Sequence, residues 1–185
     1  MAKHSLRSYV LLILVFLVSQ LAIACTSSAI AQGDLKWTYL SQSSIPKLQT
    51  QLQQGYQQSG VPVDVGRMRV LKIRRSGQEK ALYLIDSRVA LEPNRTHLNP
   101  RCGKAGCEFE GYIQTNDRYK RVLAVYLNPN PPQGKPLIEP TATLQNGLPC
   151  LKFNQRDLKR NQIEVVRWCY DGQQYRFVDA EVQKP

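Results

Sequence analysis

The residues of this 185-residue chain best suited to chemistry are four cysteines, one histidine and one pair of alternating glutamates. Cys102-Gly-Lys-Ala-Gly-Cys107 is the most distinctive. Thioredoxin-like redox sites use Cys-x-x-Cys, whereas four residues intervene here, and two glycines allow the tight backbone of a short disulfide loop. A four-cysteine zinc site would draw on the same residues, but export favours disulfides. His97 lies in a polar stretch, Asn94 to Asn99, and would complete a hydrolytic set with Asp86 and Ser87. No nucleophile-elbow motif accompanies these residues, and the simpler reading is a solvated loop histidine. Glu108 and Glu110 alternate on an expected strand and so share one face. A paired-carboxylate glycosidase needs such a pair, but two exposed acids on an antiparallel strand is the ordinary expectation. No cofactor motif and no regularly spaced metal ligands are present, so no catalytic, cofactor or metal residue is assigned.

Cations outnumber acids, 25 to 14, for a formal charge of +11. They cluster at Arg67, Arg69, Lys72, Arg74 and Arg75, at Arg118, Lys120 and Arg121, and at Lys152, Arg156, Lys159 and Arg160. The first two groups are the candidate anion-binding residues, forming one patch if their segments are neighbours. Charged side chains also protect sheet edges from aggregation, which explains the same residues without a ligand.

The N-terminus explains where such chemistry would operate. Lys3 and Arg7 precede an apolar run, and Ala29-Ile30-Ala31 offers small residues at both recognition positions of signal peptidase. Residues 1–31 therefore read as a signal peptide cleaved after Ala31, leaving 32–185 as one domain of charge +9. Leu21 to Cys25 resembles a lipoprotein box with Ala in place of Leu three residues before the cysteine, the alternative being a lipid anchor on Cys25. An uncleaved anchor is the third reading, with an apolar run slightly short of a span. Removing or modifying Cys25 leaves an even set, Cys102, Cys107, Cys150 and Cys169, which reads as two disulfides. Three connectivities exist, and the glycine-rich loop favours Cys102–Cys107 with Cys150–Cys169. Chain entropy gives about 2 kcal/mol for the first and about 3 for the second.

The positioning elements are one helix and several strands. Ile45, Leu48, Leu52 and Tyr56 follow helical spacing, with Ser44 as cap, Pro46 in the first turn and Gly60 at the end. Val63 to Arg75 and Ala81 to Ile85 read as a hairpin, and Glu108 to Thr115 as a strand. Arg121 to Leu127 is apolar on both faces and is expected to be central. Asn128 to Gly134, with Pro136 and Pro140 beyond, is expected to hold no regular structure. Ile163 to Tyr170 and Tyr175 to Val178 flank a turn at Asp171-Gly172. The expected fold is α+β: a twisted antiparallel sheet of six or seven strands with the N-terminal amphipathic helix on one face. Asn94-Arg95-Thr96 fits a glycosylation sequon, incidental in a bacterium.

The Cys-Gly-x-x-Gly-Cys loop opening onto a strand, behind a signal sequence, resembles small exported bacterial proteins of unknown function, cyanobacterial ones among them. The likeness covers mainly Leu82 to Leu127 and implies no activity. A looser likeness is to periplasmic lysozyme inhibitors, also small, disulfide-stapled and β-rich, but no inhibitory loop maps onto this chain. The expected function is a non-enzymatic exported binding or accessory domain at a membrane or envelope surface. Its compartment would be the periplasm, thylakoid lumen or extracellular space. The expected partner is an anionic surface or an acidic protein, nucleic acid being a poorer fit outside the cytoplasm. The alternatives are an inhibitor-like protein docking through Asn128 to Gly134, or a small hydrolase using His97. Intact mass of exported material is expected to give a start at Gln32; a start at Cys25 with added lipid mass would make the protein a lipoprotein.

Overall fold

The structure, a computed structural model, describes residues 35–60, 63–88, 101–157 and 160–183. The cleavage site at Ala31, Cys25, His97, the Asn94 sequon and Lys159 lie outside the described residues. Ten strands, one α-helix and two short 3-10 turns, Leu40–Gln42 and Val65–Arg67, are present among them. The strands are β1 (Thr38–Tyr39), β2 (Arg69–Ile73), β3 (Leu82–Asp86), β4 (Cys102–Gly103), β5 (Gly106–Thr115), β6 (Arg118–Leu127), β7 (Ile138–Gln145), β8 (Leu148–Asp157), β9 (Gln162–Tyr170) and β10 (Tyr175–Gln183). Helix α1 is Pro46–Gln58.

Two antiparallel sheets replace the single sheet expected from the sequence. The first holds β1, β2, β3, β5, β4 and β6; the second runs β10-β9-β8-β7. The strands not expected are the two-residue β1 and β4 and the β7–β8 hairpin at and after the proline-rich stretch. Pro140 sits inside β7, an edge strand, where its lack of an N–H costs little, and the β7–β8 register shifts beside it. Asn146 and Gly147, both at positive φ, form the two-residue turn into β8. β6 is also not central: among the described residues it pairs with β5 alone. Its apolar side chains have two different causes. Val122, Leu123 and Leu127 enter the core, whereas Tyr126 is exposed.

The first sheet is covered on both faces. On one, Leu71, Leu84, Phe109 and Leu123 meet Leu151, Phe153 and Tyr175 of the second sheet. On the other, α1 packs Leu48, Leu52 and Tyr56 onto Val70, Tyr83, Ile85 and Tyr112. Full burial of such side chains stabilises by about 1.5–3 kcal/mol each. The expected apolar stripe of α1 is therefore its buried face. The residue before the helix is Ile45, which makes no side-chain cap, so Ser44 does not serve as one. Gln51 holds the helix in place instead: its amide nitrogen donates to the Tyr119 carbonyl at 2.7 Å and its oxygen accepts from the Tyr119 N–H at 3.0 Å. A side chain thus supplies the pairing that a neighbouring strand would give to β6.

Both disulfides form as expected, Cys102–Cys107 and Cys150–Cys169. The first closes a hairpin in which Cys102 faces Cys107 and Gly103 faces Gly106. The two glycines differ. Gly106 has φ +108°, and a β-carbon there would lie 2.3 Å from the Leu127 carbonyl oxygen, while one on Gly103 would meet nothing within 4 Å. Gly106→Ala is expected to destabilise by about 2 kcal/mol or more, from positive φ and a backbone clash together, whereas Gly103→Ala stays within about 0.5 kcal/mol. Urea unfolding of both variants under oxidising conditions checks this, and equal losses would overturn it.

Candidate functional site

Glu108, Glu110 and Tyr112 alternate along β5 onto the face covered by α1. The two glutamates share a face as expected, but they are not exposed: their residual exposures are 5% and 2%. A buried carboxylate needs a partner, and each has one. Arg101 Nη1 donates to Glu108 Oε2 at 2.7 Å, and Arg121 Nη1 donates to Glu110 Oε1 at 2.8 Å. Arg101 also lies over the Tyr56 ring, its guanidinium carbon 4.4 Å from the centroid.

Arg121 reaches this face because of a bulge. Gly111 faces Leu123 and Tyr112 faces Arg121, so Val122 is the extra residue on β6. Regular alternation would place Arg121 on the same side as Leu123. The inserted residue sends Val122 and Leu123 both into the inter-sheet core and turns Arg121 and Tyr119 toward α1. The adjacent apolar pair Val122-Leu123 is the sequence signal of that phase change.

The electrostatics follow from burial. Burial, with the Glu110 charge second, raises Glu108 above the usual carboxylate value despite Arg101 and Arg121. Burial likewise raises the Tyr56 and Tyr112 phenols well above their ordinary range, so both stay protonated. Beside this cluster opens a cleft of about 460 Å³, lined by Gln51, Gln54 and Gln58 of α1 with Tyr56, Arg101, Glu110, Tyr112 and Arg121.

A second network occupies the opposite face. Asp86 is fully buried and receives Nη2 of Arg69 at 2.5 Å and of Arg88 at 2.7 Å. Trp37 and Phe109 lie beneath those two guanidinium groups. Burial alone would raise Asp86, but the hydrogen bonds from Arg88 and Arg69 prevail and hold it below the usual carboxylate value. Ser87 is buried, and its hydroxyl donates to the Glu108 carbonyl at 2.5 Å. The two members of the imagined hydrolytic set that the structure describes are thus committed to internal partners.

The candidate anion-binding residues separate by strand alternation. Arg69 shares its face with Leu71 and Ile73, whereas Lys72 lies on the α1 face opposite Tyr83. Pairing runs Lys72, Tyr83, Tyr112, Arg121, so two tyrosines separate the two cations by roughly 14 Å. Arg75 donates to the Pro140 carbonyl at 2.7 Å. Arg67 lies in the turn before β2, Arg118 opens β6, and Lys120 stands opposite Ile113. Lys72 and Arg74 line one depression of about 300 Å³ with Lys80, Glu79, Tyr83, Gln114 and Asn116. Lys80 was absent from the sequence-derived set because the hairpin joining it to Arg74 is set by register, not by a run of charge. Glu79 leans to the β7–β8 turn, its carboxylate 3.9 Å from where a β-carbon on Gly147 would stand.

Among the described residues no three metal-ligating side chains cluster, and no helix is long and apolar enough to cross a membrane. Comparison with protein-family models, curated proteins and solved structures finds no match.

The two networks respond oppositely to acid. Asp86, depressed in the folded state, stabilises above its unfolded value of about 3.9 and loses that contribution as pH falls through its folded value. Glu108, raised in the folded state, contributes most below its unfolded value of about 4.3 and loses it as pH rises through its folded value. Asp86→Asn is expected to cost about 2–3 kcal/mol at neutral pH, toward the low end for a broken buried pair because both arginines reach solvent. Its stability should also fall less than the parent's between about pH 5 and pH 2. Glu108→Gln should instead lose the gain that mild acid gives the parent. Denaturant midpoints across that range check both slopes, and parallel curves for all three proteins would contradict the assignment.

Proposed function

We propose that this protein is an extracytoplasmic binding domain that docks on anionic lipid surfaces. The carrying observation is the depression where Lys72, Arg74 and Lys80 converge while its one acid, Glu79, leans to the β7–β8 turn. Three cations around one concavity concentrate positive potential, and low-dielectric walls focus it. Arg118, opposite Thr115, stands at the same end of the sheet, whereas Lys120, opposite Ile113, lies on the other face. Arg69 and Arg121 belong to buried carboxylates and contribute little. The two disulfides fit an oxidising compartment, and a cleaved signal peptide would deliver the chain there. Catalysis is the weaker reading, because the two acids that share a face of β5, Glu108 and Glu110, each already hold a guanidinium.

Each cation near an anionic membrane surface contributes about 1 kcal/mol, so the triple variant Lys72→Gln, Arg74→Gln, Lys80→Gln is expected to bind about 100-fold more weakly. Co-sedimentation with phosphatidylglycerol vesicles measures this, with phosphatidylcholine vesicles as the uncharged control. Retention should also fall with added salt. Exposed charge changes should leave the melting temperature nearly unchanged. Unaltered binding with increased aggregation of the triple variant would show that these cations protect the sheet edge, and would end the proposal.

A further inference from the structure

The two disulfides sit in unlike surroundings. Cys150 and Cys169 are 1% and 5% exposed, and they stand on β8 and β9, the interior strands of the second sheet. Directly beyond them the β8–β9 ladder runs without a break from Leu151 opposite Trp168 to Asp157 opposite Gln162. If that bond opened, the ladder would keep both thiols face to face, and enforced proximity would close it again. Cys102–Cys107 lacks both protections. Cys102 alone of the four is not buried, and Gly103, Lys104 and Ala105 beside it are exposed. Its strand, β4, pairs with β5 over two residues only. Once the sulfurs part, little holds β4 beyond the Gly103–Gly106 pair, the Glu108 N–H on the Arg101 carbonyl and the contacts of the Arg101 side chain.

What β4 carries gives the bond a consequence. Arg101, immediately before Cys102, donates to Glu108 Oε2 at 2.7 Å and lies over the Tyr56 ring of α1. It thereby links β5 to the helix and forms part of the cleft wall. An incoming thiolate would meet Arg101 and Lys104, which flank Cys102 in the chain, and nearby cations favour a thiolate. The spacing that departs from an oxidoreductase motif is no obstacle, because a disulfide that is acted upon needs only to be reached.

We infer that Cys102–Cys107 is a redox-exchange site: a protein dithiol reduces it while Cys150–Cys169 stays closed, and reduction loosens Arg101 from Glu108. A thiolate of the dithiol attacks Cys102 Sγ and the Cys102–Cys107 bond breaks; Cys107 leaves as a thiolate and takes up a proton. The second thiol of the dithiol loses its proton and attacks the mixed disulfide, and Cys102 leaves in turn and is protonated. Two electrons pass to this protein, and the dithiol becomes a disulfide. The inference is independent of lipid docking, because no residue of the basic depression takes part.

The test exposes the exported, disulfide-intact protein to dithiothreitol at neutral pH, with timed alkylation by iodoacetamide and peptide mass mapping. Cys102 and Cys107 are expected to label at least about tenfold faster than Cys150 and Cys169. Reduced thioredoxin at micromolar concentration should act in place of dithiothreitol. The selectively reduced protein should keep its near-ultraviolet circular dichroism. Its Glu108 amide, followed by NMR, should exchange with solvent about tenfold faster than in the oxidised protein, while the amides of Leu151 to Asp157 keep their rates. Cys102→Ser with Cys107→Ser should fold and show the same fast Glu108 amide with no reductant present. One common labelling rate for all four cysteines, faster labelling of Cys150 and Cys169, or inertness to thioredoxin would overturn the inference. So would an unchanged Glu108 amide after reduction, or failure of the double serine variant to fold, which would make the bond a structural staple.

Discussion

β5 must be buried on both faces, yet it carries two glutamates, and meeting that conflict organises the surrounding structure. From Cys107 to Ile113 the strand meets water on neither side. One face is filled by the second sheet and the other by α1. Each glutamate therefore needs a cation delivered to the α1 face, and two local irregularities provide one apiece. The bulge at Val122 turns Arg121 toward Glu110. The hairpin closed by Cys102–Cys107 fixes the chain beside Arg101, next to Glu108. Arg101 is itself tied in, because the Glu108 N–H donates to its carbonyl at 2.8 Å.

Such pairs are poor sources of net stability. Desolvating two charges costs about as much as their attraction returns, and apolar replacements are often as stable. Their consequence here is positional. A one-residue slip of β6 against β5 would carry Arg121 to the inter-sheet core and strand Glu110 without a partner. The same slip would break the Gln51 bond to Tyr119 and release α1 from the edge of the sheet. Register, bulge and helix placement are thus coupled through one pair of carboxylates.

The helix and both disulfides were legible in the sequence for physical reasons. The stripe of Leu48, Leu52 and Tyr56 has a period no strand can satisfy, and the paired cysteines stand at spacings that suit neighbouring strands. The β7–β8 hairpin was not read, because prolines at 136 and 140 outweighed the Asn146-Gly147 turn; only edge position makes Pro140 compatible with a strand. The glutamates read as exposed because burial of an acid depends on counter-charges remote in sequence. Arg121 is eleven residues from Glu110, and only the bulge brings the two together. The basic cluster around Arg69 looked continuous because sequence proximity ignores alternation, which sends Arg69 and Lys72 to opposite faces.

The chain divides its labour in order. The described residues between 35 and 127 form the first sheet and its helix, and those between 138 and 183 form the second sheet. Each disulfide joins adjacent strands of one sheet, so neither crosses between the layers. Cohesion between the sheets rests on packing of groups such as Phe109, Leu151, Phe153 and Tyr175. The cleft beside α1 and the basic depression both belong to residues between 46 and 121 and open on the α1 side of the first sheet. The second sheet therefore acts on them indirectly: it closes the far face of β5, which makes that strand an interior one, and an interior strand bearing acids is what draws Arg101 and Arg121 into the wall of the cleft.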